Sequence, residues 1–185
     1  MTTFTTDGPV DARVRFHGGT VEVDATGDGP AGATVEALDP SDERSVAAAR
    51  GARIDCVAGR LTVDVPGKGK WRGGIKVRIR LQLPPLSKLT SESGEVRLHG
   101  TGELANLVVR TGSGDIDVAE VRDGLDIKAG DATAVVGGSP RRISFTTGNG
   151  QLTADAAGDV TFKTGHGRAT LGSTSGAVVV KGGNV

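Results

Sequence analysis

The sequence predicts an all-β protein built as a solenoid, in which short strands wind into stacked coils. Apolar residues alternate with polar ones along most of the chain, and this is the period of a half-buried strand. After residue 88 one pattern recurs about every 18 residues, as two strands around a turn that most often reads Thr-Gly-x-Gly. The 30 glycines and 3% aromatic residues suit many tight turns around a narrow core.

Residues 1–83 are β-rich without repeating, and we expect them to cap the solenoid. Alternating apolar stretches predict strands near 10–16, 21–23, 33–37, 52–56, 61–65 and 75–83. A short helix is predicted over residues 41–50, with Ser41 as its N-cap and Gly51 ending it. Residues 27–32 match G-x-G-x-x-G, but alternation after Pro30 predicts a strand rather than the helix of a nucleotide site. This stretch is therefore interpreted as a turn.

Residues 84–185 form the repeat solenoid, and both portions are predicted to make one continuous domain. When the five copies are aligned on their turns, similar residues fall into columns. All of these columns occupy alternate strand positions that face the inside of the solenoid. Before the turn these columns are Leu107, Leu125, Ile143 and Val160; then Leu89, Val109, Ile127, Phe145 and Phe162; then Ser91, Thr111, Ala129, Thr147 and Thr164. After the turn they are Val96, Ile116, Ala132, Leu152 and Ala169; then Leu98, Val118, Ala134, Ala154 and Leu171. Equivalent residues touch in a parallel solenoid but not in an antiparallel meander, so the columns favour the solenoid.

These repeats also resemble a known family. VVRTGSGDIDV, FTTGNG and VTFKTGHG, behind GGTVEVDA, ATVEALDP, LTVDVPGKG and IKVRIRLQLPP, are similar to the bacterial "putative adhesin" family of β-strand-repeat proteins. This is the domain of unknown function 4097, in its actinobacterial form, and the resemblance covers nearly the whole chain. It implies a right-handed, single-stranded β-helix-like fold, no established enzymatic activity and, for some relatives, a place in the cell envelope.

Composition limits the compartment and the partners. With 22 basic and 22 acidic side chains the formal charge is zero, so bulk electrostatics favour neither nucleic acid nor an anionic membrane. No apolar run is long enough to predict a membrane span. The N-terminus shows no secretory signal and Cys56 is the only cysteine, so we expect a cytoplasmic protein without disulfides. Cys56 alternates with Ile54 and is predicted to be a buried strand thiol.

Side chains with catalytic or metal-binding chemistry are scattered. Asp115 and Asp117 share an outward face, but calcium-binding β-rolls repeat the acidic residue in every coil, and here it is lost along the column. The histidines at 17, 99 and 166 have no second ligand at metal-binding spacing. We therefore expect no catalytic residue, no cofactor and no metal site.

One stretch of the sequence has a marked charge. We define the basic face as Lys68, Lys70, Trp71, Arg72, Lys76, Arg78 and Arg80. Alternation puts the last three on the outer face of one strand. They are interpreted as a solvated surface or an edge guard, or else as a site for an anionic polymer, either cell-wall polysaccharide or nucleic acid.

The last coil ends in an apolar run. We define the C-terminal edge as Val178, Val179 and Val180, followed by Lys181. An uncovered terminal coil presents unpaired backbone groups and apolar columns to water, so the sequence predicts end-to-end self-association or pairing with another β protein. The expected function is a non-catalytic scaffold for protein–protein interaction or self-assembly. Binding of an anionic polymer by the basic face is the alternative, and a carbohydrate-active enzyme comes third.

Overall fold

A computed structural model of the chain describes residues 2–6, 8–67 and 74–184. Before the repeats it has β1 (Thr2–Phe4), β2 (Asp11–Arg15), β3 (Gly18–Ala25), β4 (Ala31–Ala37), α1 (Glu43–Arg50), β5 (Arg53–Val57), β6 (Arg60–Asp64) and β7 (Val77–Gln82). The repeats form β8 (Ser87–Glu92), β9 (Glu95–Val136), β10 (Arg142–Ala157), β11 (Asp159–Thr174) and β12 (Val178–Asn184). The predicted all-β class is confirmed. Among the described residues, no helix is long and apolar enough to cross a membrane.

Successive repeats lie side by side as parallel strands. Ile143 of β10 pairs with Leu125 of β9 on one side and with Val160 of β11 on the other. Val160 pairs in turn with Val178 of β12. The copies therefore pair in parallel and in register and do not form an antiparallel meander; each such repeat is called a coil.

The predicted columns have the correct parity, but their register is wrong in the first copy. Leu89 pairs with Leu107, and Ser91 pairs with Val109, so this copy is displaced by two residues from its predicted place. Its turn has one glycine, Gly94, whereas the second copy has two. The sequence alignment matched Gly94 with the second of those two glycines, although Gly94 lies beside the first, Gly112.

The third copy has the same error after its turn. Ala132 pairs with Gly150, and Ala134 pairs with Leu152, whereas the predicted column placed Ala132 beside Leu152. This copy also has a single turn glycine, Gly130. Its backbone follows the neighbouring coil without a deletion, because the glycine it lacks is the second of the pair.

The N-terminal strands extend the stack at its other end. β2 pairs in parallel with β8 and β6, and β3 pairs in parallel with β9 and β7. Beyond them the direction reverses: β5 lies antiparallel on β6, β4 antiparallel on β7, and β1 antiparallel on β4. Helix α1 contacts β4 and β7. This end of the stack is thus covered by antiparallel strands and a helix.

The N-cap of helix α1 lies one residue later than predicted. Its N-cap is Asp42, whose carboxylate accepts a hydrogen bond from the Ser45 hydroxyl at 2.6 Å. That bond is the main cause of the lowered pKa of Asp42. Ser41, the predicted cap, instead donates its hydroxyl to Asp39 at 2.7 Å. The Ser45 hydroxyl also accepts the Lys76 N–H at 3.0 Å and so ties the helix to the residue before β7.

The core lies between the inward faces of the coils. Phe145 and Phe162 are fully buried, and their rings stack at a centroid distance of 5.4 Å and an interplanar angle of 12°, which confirms their predicted place in one column. Cys56 is half-buried rather than buried, because β5 is the outermost strand beside β6.

Candidate binding groove and C-terminal edge

The turn between the two strands of each coil is built on a ladder of glycines. The first turn glycine recurs as Gly94, Gly112, Gly130, Gly148 and Gly165. The Gly112 N–H donates to the Gly94 carbonyl at 2.9 Å, and a Cβ on Gly112 would lie only 2.7 Å from that oxygen. A Cβ on Gly130 would likewise lie 2.7 Å from the Gly112 carbonyl oxygen. Larger residues are excluded here because each coil approaches the backbone of the previous one.

The threonine before the turn glycine fixes the shape of the turn. The Thr147 hydroxyl lies 2.7 Å from the Asn149 carbonyl and 3.0 Å from the Gly130 carbonyl of the previous coil. Thr164 repeats this arrangement, 2.8 Å from the His166 carbonyl. Both side chains face inward and are buried. The prediction that this column requires a small residue therefore missed the part played by the hydroxyl.

These turns line a groove that crosses the strands along the axis of the stack. We call it the axial groove; its volume is about 830 Å³. Its floor is the backbone at Val96, Gly114, Ala132, Gly150 and Gly167. The residues on either side of each floor position form two parallel rows. The first row is Glu95, Ser113, Asp131, Asn149 and His166, and the second row is Arg97, Asp115, Thr133, Gln151 and Arg168.

The two rows are exposed and polar. Neighbouring coils connect through them: the Asn149 amide donates to Asp131 at 2.7 Å, and Lys76 lies 3.3 Å from Glu95 at the end of the groove nearest α1. Leu38 lines that same end. Counting Lys76, the basic residues of the groove equal its carboxylates in number. The groove therefore offers many hydrogen-bonding groups without a net formal charge.

The axial groove was not predicted from the sequence, although the sequence contains its signal. In each of the last two copies the second turn glycine stands between two polar residues, as in Asn149-Gly150-Gln151 and His166-Gly167-Arg168. Residues on both sides of an inward position face outward. Stacking the copies would have brought these residues together as rows.

The basic face is described only in part. Lys68, Lys70, Trp71 and Arg72 lie outside the described residues. Lys76, Arg78 and Arg80 do share one side of the stack, and carboxylates face each of them. Arg78 lies 3.3 Å from Glu22, and Arg80 lies 3.1 Å from both Glu22 and Glu36.

The interpretation of these three residues as an edge guard is wrong. β7 pairs with β3 on one side and with β4 on the other, so it is an inner strand of the sheet. Glu22 comes from β3 and Glu36 from β4. The described positive charges are thus compensated by the strands on both sides, and each pair is about half exposed, where ion pairs stabilise only weakly.

The C-terminal edge is exposed to solvent. Val178, Val179 and Val180 are 46%, 42% and 47% exposed. Val178 pairs with Val160 and Val180 with Phe162, so both continue buried columns. Within the described part of the chain, β12 pairs with β11 alone. Among residues 2–6, 8–67 and 74–184, no further strand covers the two core columns at this edge.

Among the described polar residues considered for metal chemistry, His99 and Asp117 form one close pair. The His99 ring nitrogen Nδ1 lies 3.2 Å from Asp117, whereas Asp115 belongs to the groove. Over residues 2–6, 8–67 and 74–184, no three His, Cys, Asp or Glu side chains are grouped so that they could share a metal ion. His166 lies in the first row of the groove.

Comparison with known proteins gives only distant likenesses. No family model matches the chain, and no curated protein does. A "putative cell adhesion protein" of Clostridium sporogenes matches over 98% of this chain and 97% of its own, at 12% identity and a TM-score of 0.39. A "putative adhesin" of Bacteroides fragilis matches over 94% and 92%, at 13% identity and 0.36. A "putative lipid binding protein" of Parabacteroides distasonis matches over 96% and 92%, at 10% identity and 0.32. At these identities and TM-scores no functional inference follows.

Proposed function

We propose that this chain is a non-catalytic β-solenoid scaffold that associates with a second copy of itself through the C-terminal edge. The coils form a right-handed, single-stranded solenoid in this proposal. Parallel, in-register pairing from β8 to β12 supports it, together with the strong preference of parallel β connections for a right-handed path. The scaffold acts in the cytoplasm, where a lone thiol such as Cys56 stays reduced.

The observation that carries the proposal is the state of Val178 and Val180. Both occupy columns whose other members are buried, and both are nearly half exposed. Burying the exposed half of one valine side chain stabilises the contact by about 1 kcal/mol. A second strand laid beside β12 covers them and also pairs the free backbone groups of β12.

A two-fold axis gives the simplest arrangement of the pair. Two identical edge strands related by such an axis run antiparallel and offer each other the same residues. β12 is seven residues long, and Lys181 is its only charged side chain, so each copy brings a single positive charge to the contact. The contact is short, and we therefore expect a weak dimer that forms as concentration rises.

Sedimentation velocity across a wide concentration range tests the proposal. The wild-type chain is expected to shift from monomer to dimer, and Val180→Lys is expected to remain monomeric because it places a charge in the contact. Val57→Lys is the matched control, since Val57 is 69% exposed on β5 at the opposite end. A strict monomer at the highest concentration, or equal effects of the two substitutions, would contradict the proposal.

The non-catalytic part of the proposal rests on the layout of the polar groups. In the axial groove they form rows, in which Asn149 stands beside Asp131 and His166, and Gln151 beside Thr133 and Arg168. General acid–base and nucleophilic catalysis need groups that converge on one reacting atom. Rows of this kind suit contact along an extended partner.

A further inference from the structure

We propose that the axial groove is a binding site for a neutral, extended, β-linked oligosaccharide lying along the axis of the stack. This site is separate from the self-association of β12. It rests on the shape of the groove, on the use already made of its backbone, and on the chemistry of its two rows.

The shape of the axial groove favours an extended ligand whose units repeat at a short distance. Each coil contributes one floor residue flanked by one residue of each row, so the groove repeats at the spacing of parallel strands, about 4.8 Å. A hexose unit in an extended chain is close to this length. A volume of about 830 Å³ is within the usual range of ligand sites and accommodates several sugar units in line.

The floor disfavours a peptide. At positions 132, 150 and 167 the backbone belongs to the parallel ladders that join β9, β10 and β11. Its N–H and C=O groups are therefore used between coils, and an extended peptide has no free strand edge to pair with. Only side chains are left to bind a ligand.

The rows match hydroxyl groups better than charges or apolar surface. A sugar hydroxyl both donates and accepts, as do the Asn149 and Gln151 amides and the Ser113 and Thr133 hydroxyls. These four side chains are exposed and lie in the middle and towards the β11 side of the groove.

Two carboxylates make the centre of the groove unfavourable for a polyanion. Asp115 stands in one row and Asp131 in the other, where like charges repel an acidic polymer. Lys76, Arg97 and Arg168 lie towards the two ends, so the positive charges do not form a continuous track.

The test uses the isotope-labelled full chain and a panel of neutral hexasaccharides of β-linked glucose, xylose, mannose and N-acetylglucosamine. At least one is expected to shift the amide resonances of Asn149, Gln151 and their row neighbours. Thr133→Arg fills the centre of the groove and is expected to weaken that binding by roughly tenfold or more. Val135→Arg is the matched control: it lies two residues along the same strand, is equally outward and is 47% exposed, but does not line the groove.

Several outcomes would overturn the site. One is that no member of the panel binds; another is that Thr133→Arg and Val135→Arg act alike. Preferential binding of an oligogalacturonate or of an extended peptide in the groove would also overturn it. None of these outcomes bears on β12, because the dimer is tested with substitutions at Val180 and Val57.

Discussion

The two ends of this molecule differ in how far they bury a valine that belongs to an inward-facing column. At the N-terminal end, Val77 of β7 is fully buried, because β4 pairs beside it and α1 packs over them. At the other end Val180 of β12 continues the buried column of Phe162 and yet remains 47% exposed. The covering strands reverse direction at the first end, whereas β12 keeps the direction of the repeats.

The difference shows that burial in a stacked β-structure is set by the next coil and not by the strand itself. Each coil buries its inward residues only when a neighbour lies on each side. At the N-terminal end the chain itself covers the inward residues, because antiparallel strands lie beside the last parallel ones. The C-terminal edge keeps that surface, and for this reason it is the edge at which we propose self-association.

The largest expected effect compares two neighbours of one column. Phe162→Ala should lower the free energy of unfolding by about 3–5 kcal/mol, because it leaves a cavity beside Phe145. Val180→Ala, one coil further out, should cost less than about 1 kcal/mol because its side chain is already half exposed. Denaturant unfolding of both variants at low protein concentration measures the contrast. Equal losses would mean that the C-terminal edge is covered, and the comparison of the ends would fail.

A smaller effect tests the parity of the strands near the open end. Thr164 is buried and donates across the turn to the His166 carbonyl, whereas Lys163 is exposed. Thr164→Leu should destabilise the fold by about 1–3 kcal/mol through overpacking. Lys163→Leu should change the stability by no more than about 0.5 kcal/mol. Thermal unfolding of the two variants decides the question, and a reversed order would contradict the inward assignment.

A pH effect is expected near the capped end. Glu92 lies 2.5 Å from Arg13 and 3.0 Å from Arg15 of β2. The hydrogen bond from Arg13 and the positive charges of both arginines lower the pKa of Glu92 from its ordinary 4.5. The stabilisation is therefore present above pH 4.5 and lost as pH falls through the lowered pKa. Glu92→Gln should cost at most about 1 kcal/mol at neutral pH, because the pairs are partly exposed.

The acid limb provides the check on that assignment. The difference between wild type and Glu92→Gln is expected to shrink steadily in urea unfolding measured at successively lower pH. A difference that stays constant into strong acid would show that the glutamate acts through packing instead of through its charge.

The smallest effect concerns the basic face. Replacing Lys76, Arg78 and Arg80 by Ser should leave folding intact, since each lies in a half-exposed ion pair. Because Glu22, Glu36 and Glu95 compensate these charges, we expect the three residues to contribute little to salt-sensitive retention on heparin or single-stranded DNA. Strong retention that the triple variant abolishes would instead favour the anionic-polymer alternative.

The sequence was a good guide wherever a local rule acted alone. Alternation located the N-terminal strands, and matched residue types placed Phe145 beside Phe162. The register failed in the copies with one turn glycine, because a glycine at Gly94 or Gly130 does not say which of two turn positions it occupies. Only contact with the neighbouring coil decides that.

The sites were harder to predict for a similar reason. The axial groove is formed by residues about one coil apart in sequence, and none of them is unusual alone. The pairing of β4 with β7 could not be predicted either, because the alternating pattern of β4 does not indicate that it lies antiparallel beside Arg78 and Arg80. By contrast, the three consecutive valines of β12 were recognisable at once, because an apolar run without alternation has no solvent face.

Hydrogen exchange of the β12 amides at low and high protein concentration tests the central claim most directly. If two copies pair through the C-terminal edge, amides of residues 178–184 that are unpaired in the monomer become protected as concentration rises. The amides of β5 at the opposite end should exchange at an unchanged rate. Protection in β12 that is independent of concentration, or that persists in Val180→Lys, would contradict the assignment of this edge as the site of self-association.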